Sequence, residues 1–373
     1  MVHFLRAMYC TSSYAIFGWP RLHIHLIVPA HRLSRSRKCL AKSICTWRQY
    51  RSFDNMRETI TVSASHQANH VATHLFNNQE SHLVYKKGVS SRYQNSVYLV
   101  AQKTALGSTN YYPRAMLYDL SGGNGALGKF EYFKAADGES MAAILNTSDV
   151  IRSFPAVEKN EYQRALDSGT SITTGLLNTD NTSYWSDYNK LIYNPKSLNF
   201  LSDWVHDPLG LGYHRSSNEE KKRFDMWYLG INEAKKDIDE KLEVFRQLLE
   251  DSDMFQGANF FTEIDSAWGG FTAELLSEIK DEYFNGHAKH SFWTWAMFNL
   301  DEESLNFKQK YSRIRGFVDL VTQSSMIFPM AEPSRTVKSS VLSDSYDTSS
   351  PWHTSALKAY VIDSLWAITN PLH

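Results

Sequence analysis

Residues 249–285 (LEDSDMFQGANFFTEIDSAWGGFTAELLSEIKDEYFN) constrain the fold more than any other stretch of the chain. The apolar run at 258–264 predicts a buried strand, and the loop 265–270 that follows it holds two adjacent glycines. Apolar residues then recur at helical spacing from Phe271 to Ile279. A strand, a glycine-bearing loop and a helix in this order direct backbone N–H groups towards a site where phosphate can bind.

Strand and helix patterns alternate along much of the chain. Apolar and β-branched runs at residues 59–64, 115–120 and 290–298 predict further strands. An amphipathic pattern from residue 218 to Leu249 predicts one long helix that packs on a core along a single stripe. Strands that alternate with helices and long crossovers indicate an α/β fold with a mostly parallel sheet.

Other segments have weaker patterns. Residues 184–198 place several aromatic side chains in a short helical or extended segment, and residues 200–216 predict a loop anchored by Trp204 and Leu211. A Ser- and Asp-rich linker is expected at 339–354, before a last helix.

Charge and cysteine content set limits on function. The formal net charge is −1, but residues 1–53 carry nine Lys or Arg and no acidic residue, leaving 30 basic against 40 acidic residues for 54–373. This mildly acidic body does not indicate nucleic-acid binding.

All three cysteines lie in the first 45 residues, so the body has neither a disulfide framework nor a thiolate metal site. Such a body suits a reducing compartment or an organelle interior. No apolar run reaches the roughly 18 residues of a membrane-spanning helix, and no transmembrane segment is predicted.

Residues 1–55 differ in composition from the rest of the chain. They are rich in Arg and Ser and almost free of acidic residues, which is typical of an organelle-targeting peptide. Pro20 and Pro29 weaken the amphipathic helix that such a peptide needs. The alternative is that the native protein starts at Met56 and that the upstream residues are a gene-start artefact or a disordered tail. In both interpretations residues 1–55 lie outside the fold.

Two motifs have a structural as well as a functional interpretation. His66, His70 and His74 share one helical face, which suits a metal, but no matching Cys or carboxylate accompanies them and half-buried polar histidines are the better interpretation. The run Gly123-x-Gly125-x-x-Gly128 spells a dinucleotide fingerprint. The segment after it, residues 129–133, alternates as a strand does, so we interpret the run as a glycine-rich turn between two strands, with a backbone contact to a nucleotide or partner as the alternative.

Four segments in the right order carry a family resemblance. Residues 57–80 (RETITVSASHQANHVATHLFNNQE) are similar to the opening strand, phosphate loop and helix of tubulins. Residues 111–128 (YYPRAMLYDLSGGNGALG) are similar to the PRA-x-L-x-D strand and its glycine turn, and residues 249–283 to the acidic turn, strand, glycine loop and helix. Residues 184–198 (YWSDYNKLIYNPKSL) resemble the Misato family, a divergent branch of the tubulin superfamily, rather than tubulin itself. The likeness covers most of residues 57–330.

The resemblance implies a tubulin-like, Rossmann-type nucleotide-binding fold followed by a partial second domain. Its segments are a leader or non-native extension (1–55), a Misato N-terminal tubulin-like segment (56–210), a segment with the long core helix and the altered glycine loop (211–310), and the start of a second domain (311–373). The chain ends without the sheet that family members continue into, so a fragment or a truncated gene model is expected. The resemblance also implies a role in mitochondrial partitioning, in inheritance of mitochondrial DNA and in mitochondrial shape.

Departures from the family pattern argue against an enzyme. Where tubulins have a GGGTGSG-type loop, this chain has DSAWGGF, and the glycines of the first loop correspond to Ser65, Asn69 and Ala72. Trp268 is expected to add bulk at the mouth of the altered loop, and Asp265 to add a negative charge that faces phosphate. Two like charges ~4 Å apart repel by about 1–4 kcal/mol at effective dielectric constants of 80 to 20.

We therefore expect no catalytic residue, no metal and no cofactor, with GTP as the alternative ligand. A nucleotide, if bound, is expected to contact Ser65, His66, Gly122, Gly123, Gly269 and Gly270. The first hypothesis is a non-enzymatic tubulin-like protein that acts in the mitochondrion, and also in the cytoplasm, through protein partners. The alternatives are a GTPase that polymerises head-to-tail, and a scaffold unrelated to nucleotides or mitochondria.

Overall fold

The computed structural model of the chain describes residues 57–83, 94–103, 109–132, 157–172, 175–208, 211–216, 222–284, 290–331 and 346–369. These residues belong to one compact unit that spans 55–373. The predicted leader, residues 1–55, lies outside the described residues. None of the helices in the described part of the chain is long and apolar enough to span a bilayer.

Nine strands and seven helices make up the described part of the unit. The strands are β1 (Glu58–Ala64), β2 (Leu99–Lys103), β3 (Thr109–Pro113), β4 (Ala115–Ser121), β5 (Leu198–Val205), β6 (Tyr213–His214), β7 (Phe255–Glu263), β8 (Ser291–Phe298) and β9 (Met326–Ala331). The helices are α1 (His66–Ser81), α2 (Glu161–Ser168), α3 (Trp227–Lys235), α4 (Ile238–Glu250), α5 (Trp268–Tyr283), α6 (Phe307–Gln323) and α7 (Pro351–Thr369).

Seven strands form one sheet in the order β6-β5-β4-β1-β7-β8-β9, and β2 pairs with β3 as a separate antiparallel hairpin. All neighbours in the large sheet are parallel except β5 and β6. The central strands β1, β4 and β7 are buried on both faces, as is usual for the middle of a parallel sheet covered by helices. The predicted α/β fold with a mostly parallel sheet is confirmed.

The helices cover the two faces of the sheet. Helices α3, α4 and α5 pack on one face, in a core cluster with Ile60, Tyr118 and Phe260. Helices α1 and α7 pack on the other face, in a cluster with Leu117 and Phe261. The consecutive phenylalanines of β7 thus point to opposite faces, as the two-residue period of a strand requires.

Three local predictions were wrong. The long helix predicted from residue 218 consists of two helices, α3 and α4, which are separated at Asp237, where the backbone adopts a left-handed φ of 51°. Residues 129–132 form turns rather than a strand. Residues 200–216 contain strand β5 and the short β6 rather than a loop, although Trp204 is buried as predicted.

The last part of the chain, residues 307–369, is partly helical and adds to the same unit. Helix α6 leads to β9, which pairs with β8 at the edge of the sheet. Helix α7 packs against α1, and Trp366 of α7 stacks on Tyr98 with a ring-centroid separation of 4.0 Å. The predicted linker overlaps residues 332–345, which lie outside the described part.

Candidate functional site

The candidate site lies at the carboxyl ends of β1, β4 and β7, three adjacent parallel strands. Ligands of open α/β sheets bind at this edge, where the loops after the strands meet. The loop after β1 leads into α1, the turn after β4 contains Gly122 and Gly123, and the loop after β7 leads into α5. Three of the segments that resemble tubulin therefore meet at one edge of the sheet.

Ser65 joins β1 to α1 in a strained backbone conformation. Its φ is 139°, in the region that favours glycine, and its ψ is 160°. Its hydroxyl accepts a hydrogen bond from the amide of Ala68 at 3.0 Å, which caps the N-terminus of α1. A non-glycine residue held in this region costs on the order of 1–3 kcal/mol and persists only where its surroundings hold it. The loop thus keeps a glycine-type conformation without the glycine.

His66, the residue after Ser65, forms an ion pair within the protein. His66 Nδ1 lies 3.1 Å from the Asp119 carboxylate at the end of β4. Asp119 is buried, and its oxygens also accept hydrogen bonds from the indole N–H of Trp185 at 2.9 Å and from the Leu120 amide at 2.8 Å. The carboxylate is therefore held by donors from three parts of the chain, so it contributes to the structure of the site even without a ligand.

The ionisation of this pair is set by opposing effects. Burial alone disfavours both charges, but each partner stabilises the other. Burial lowers the pKa of His66, yet the charge and hydrogen bond of Asp119 and the Ser183 carbonyl raise it above its usual value overall. Burial likewise raises the pKa of Asp119, yet His66 and the Leu120 amide lower it below its usual value overall. Each partner thus favours the charged form of the other.

The second ring nitrogen of His66 is also engaged inside the protein. Nε2 lies 3.3 Å from the carbonyl oxygen of Ser183 and 3.2 Å from Nε2 of His70. His70 Nδ1 lies 2.8 Å from the hydroxyl of Tyr188. Burial and the nearby His66 charge hold the pKa of His70 well below its usual value, so His70 is neutral. Both ring nitrogens of His66 therefore have partners within the protein.

The histidine face predicted from the sequence does not converge on one point. His74 Nε2 donates to the carbonyl oxygen of Trp352 in α7 at 2.9 Å, away from the His66–Asp119 pair. Burial lowers the pKa of His74 to about 4, which suits a neutral donor between two packed helices. His74 therefore joins α1 to α7, as the structural interpretation of this face predicts.

Among the described residues, one set of side chains is close enough to hold a metal ion. The candidate ligand atoms of His66, Asp119 and His206 all lie within 4.8 Å of one another. His206 follows the end of β5, and its ring centroid lies 4.2 Å from that of His66. Burial first, and then the His66 charge, lower the pKa of His206 to about 4. The predicted absence of a metal stays a prediction.

The turn after β4 depends on its glycines for close approach. A Cβ built on Gly123 would lie 2.5 Å from the Asp119 carboxyl carbon, and Gly122 adopts a left-handed φ of 89°. The Gly123 amide donates to the carbonyl oxygen of Leu120 at 2.9 Å. The two glycines thus wrap the chain tightly around the buried Asp119, which accounts for them without a ligand.

The loop after β7 corrects the role expected for Asp265. Its carboxylate does not face a phosphate site; instead it forms a bidentate pair with Arg313 of α6, at 2.6 and 2.9 Å. It also accepts a hydrogen bond from the Asn299 amide at 2.7 Å, which ties the end of β8 to the same carboxylate. Asp265 is buried and its charge is compensated, so it adds no repulsion towards a bound polyanion.

The two adjacent glycines, Gly269 and Gly270, lie in the first turn of α5 rather than in a loop, because the helix begins at Trp268. A Cβ on Gly270 would lie 2.1 Å from the Trp227 carbonyl oxygen of α3. A Cβ on Gly269 would lie 3.4 Å from the Cα of Gly316 in α6. Both glycines therefore serve close helix packing, Gly270 against α3 and Gly269 against α6.

Trp268 lies beside this packing site. Its side chain is buried, and its ring packs on Phe224 at 5.1 Å and on Phe271 at 5.3 Å between ring centroids. It also lines the cavity at the carboxyl edge of the sheet. The bulk expected from Trp268 is thus present, but most of the ring belongs to the core.

The cavity at this edge is small and has mostly polar lining residues. Its volume is about 210 Å³, and pockets for drug-sized ligands usually have roughly 300–1,000 Å³. Three carboxylates line it, from Asp119, Asp207 and Glu263, and no Lys or Arg is among its described lining residues. The start of α7, including Thr354, closes one side. Two of these carboxylates have ion partners, Asp119 in His66 and Asp207 in Arg223.

Sequence reasoning placed some of these residues and missed others. Ser65, His66, Gly122 and Gly123 meet at one edge, as the resemblance implies, while Gly269 and Gly270 are used in packing. His206 was missed because its segment was interpreted as a loop, and Arg313 because nothing local marks it as the partner of Asp265. That a nucleotide contacts Ser65, His66, Gly122, Gly123, Gly269 and Gly270 stays a prediction.

Comparison with known proteins gives consistent matches. The sequence model of a family described as "Tubulin domain" matches residues 174–370, and that of the "Misato Segment II tubulin-like domain" matches residues 57–168. Protein DML1 of Debaryomyces hansenii is 45% identical over 297 residues, which are 78% of this chain and 62% of the relative. Protein DML1 of Candida albicans is 36% identical over an alignment of 360 positions, which covers 85% of this chain and 62% of the relative. The chain thus spans about three-fifths of the length of these relatives.

Proposed function

Because the chain belongs to the Misato family of tubulin-like proteins, we propose that it acts without enzymatic activity, through protein partners, in the partitioning and inheritance of mitochondria and their DNA and in mitochondrial shape. The proposed location is the mitochondrion, with the cytoplasm as a second location. The mitochondrial part of this proposal follows from the family resemblance, and the non-enzymatic part from the geometry of the site.

One observation carries the non-enzymatic part: the ion pair between the buried Asp119 and the half-buried His66, at the edge where the tubulin-like loops meet. Phosphate sites offer unpaired backbone N–H groups and positive charge. Here the charged groups compensate each other, and the cavity beside them is lined by carboxylates. The glycines that a phosphate cradle needs are used for turn formation and for helix packing instead.

Equilibrium binding of labelled GTP, with and without magnesium, tests this part on the full chain. We expect no saturable binding in either condition. The matched variant is Gln67→Glu, which adds a carboxylate at the cavity without touching the core. Saturable, magnesium-dependent GTP binding that Gln67→Glu weakens would contradict the proposal. That result would favour the alternative, a GTPase that polymerises head-to-tail.

The mitochondrial role is tested in a yeast that carries a DML1 relative, such as Kluyveromyces lactis. Depletion of that relative should lower the amount of mitochondrial DNA per cell, measured against nuclear DNA, and the full chain should restore it. Fluorescent fusions that start at Met1 and at Met56 then test the leader. If both fusions reach mitochondria equally, residues 1–55 are not the signal, and if neither does, the proposed location is wrong.

A further inference from the structure

Helix α6 has an exposed apolar stripe on the face that points away from the protein. Large apolar side chains recur along it in steps of four, three, four and three residues. They are Phe307, Tyr311, Ile314, Val318 and Val321, with exposed fractions of 81%, 38%, 64%, 50% and 47%. Successive residues of a helix are about 100° apart, so these five side chains lie within an arc of roughly 80°. They form one continuous seam.

The opposite face of α6 is the one that packs on the protein. Ser312, Gly316 and Leu320 are buried, and they lie about 180° from the centre of the seam. Among the described residues, packing of α6 against α5 and β9 therefore leaves the seam exposed to solvent. Scattered exposed apolar residues are normal, but a continuous seam of five on one helix marks an interaction surface.

The spacing identifies the shape of the partner. Steps of four and three residues give a mean period of 3.5 residues, which is the a/d period of helices that pack side by side with knobs in holes. A flat or extended partner does not require this narrow period. The partner that fits is another helix, aligned nearly parallel or antiparallel to α6.

We propose that the partner is α6 of a second copy of this chain, which packs antiparallel about a two-fold axis at Ile314. Ile314 lies at the middle of the seam: Phe307 and Val321 are each seven residues from it, and Tyr311 and Val318 are three and four residues from it. A two-fold axis there places Phe307 opposite Val321, Tyr311 within one residue of Val318, and Ile314 opposite its own copy. This matching of large with small side chains fills the interface evenly.

Charge favours the same orientation. Lys308 and Lys310 lie at the N-terminal end of α6, whereas residues 316–323 contain no Lys or Arg and include Asp319. Antiparallel pairing separates the two lysine-bearing ends, and parallel pairing would bring them together. Arg315 is closest to the axis, and its guanidinium lies over the Trp227 ring of its own chain, 4.6 Å from the ring centroid. Its charge is thereby held beside the seam rather than in it.

The area of the seam predicts a weak dimer. Complete coverage of the exposed parts of the five side chains would bury roughly 500 Å² per chain, or roughly 1,000 Å² in total, which is near the lower bound for a specific interface. The dimer should therefore dissociate on dilution. Because the two α6 helices meet at one isologous contact, the assembly closes at two copies.

Sedimentation velocity of the full chain over a concentration series tests the dimer. The mass should rise with concentration from the 42.8 kDa monomer towards twice that value. Ile314→Lys, and separately Val318→Lys, should abolish the rise because they place charges in the seam. The control Ile368→Lys changes a residue of α7 that is 75% exposed, and it should leave the rise unchanged. A monomer at all concentrations, or equal loss in the control, overturns the proposal.

Disulfide cross-linking tests the orientation. In a background with Cys10, Cys39 and Cys45 changed to Ser, a chain with Phe307→Cys should cross-link under mild oxidation only when mixed with a chain carrying Val321→Cys. A parallel pair would instead give a disulfide between two chains that both carry Phe307→Cys. That product as the main species would refute the antiparallel arrangement.

Discussion

The substitution of Gly270 by alanine separates a packing role for the paired glycines from a phosphate-binding role. Gly270 and Gly269 are adjacent in α5, and both are buried. In a helix interior, alanine is about 1 kcal/mol more favourable than glycine, so both substitutions gain the same backbone contribution. What distinguishes them is the space around the added methyl group.

At Gly270 the added Cβ would lie 2.1 Å from the Trp227 carbonyl oxygen. This oxygen belongs to the backbone of α3, so it cannot move without moving the helix. Overpacking of a core usually costs about 1–3 kcal/mol, and a backbone clash this close belongs at the upper end. After the gain in helix propensity, we expect Gly270→Ala to lower the free energy of unfolding by about 2 kcal/mol.

At Gly269 the nearest atoms to the added Cβ would be the Cα atoms of Ile264 and Gly316, at 3.3 and 3.4 Å. A shift of a few tenths of an ångström accommodates it. We therefore expect the free energy of unfolding of Gly269→Ala to stay within about 1 kcal/mol of the parent value. Gly269→Ala is thus the matched control for its neighbour.

The assay is denaturation by urea without any nucleotide, followed by both tryptophan fluorescence and circular dichroism. The free energies follow from the midpoints and slopes, provided that the two probes give the same transition. If these glycines served only to hold phosphate, both variants would show the same small gain in stability from helix propensity in the absence of ligand. Equal stability of Gly270→Ala and Gly269→Ala would therefore refute the packing argument.

Three further predictions concern the charges and the strained loop of the site. Arg313→Met leaves the buried Asp265 carboxylate without its ion partner and should cost about 3–5 kcal/mol of stability in urea denaturation, whereas adding Asp265→Asn should restore part of the loss; no rescue would contradict the pairing. The raised pKa of His66 means that its charge stabilises the fold fully below its usual pKa of 6.5 and less as the pH rises through the folded-state pKa. The stability difference between the parent protein and His66→Gln should therefore shrink as the pH rises above 6.5, and a difference that grows would refute the ion pair. Ser65→Gly relieves the backbone strain but loses a serine cap, so thermal unfolding should show a gain of about 1 kcal/mol, and a loss would show that the cap outweighs the strain.

The local periodicity of the sequence predicted the central strands and α1 well. The strand predicted at 59–64 is β1, and the helical face predicted for His66, His70 and His74 belongs to α1, which begins at His66 with Ser65 as its cap. Such elements are encoded by the spacing of their apolar residues and by their capping residues, all of which lie close together in the sequence. The break at Asp237 was missed because the amphipathic stripe continues across it in α3 and α4.

The chemistry of the site was much less accessible to sequence reasoning. Asp265 was expected to oppose phosphate, but its position after β7 says nothing about Arg313, which is 48 residues away. Likewise, Gly269 and Gly270 have the same local appearance in a phosphate loop and in a helix that packs closely on its neighbours. The distinction depends on the Trp227 carbonyl oxygen, which belongs to another helix.

The sequence by itself therefore established the parallel α/β frame and the tubulin-like identity of its segments, because period and motif order are properties of neighbouring residues. The strand, loop and helix of residues 249–285 were predictable for this reason. The tertiary structure determined which groups the three loops bring together: the His66–Asp119 pair, the partner of Asp265 and the helices against which the paired glycines pack. Distances between residues far apart in the chain fix these contacts, and no local pattern encodes such distances.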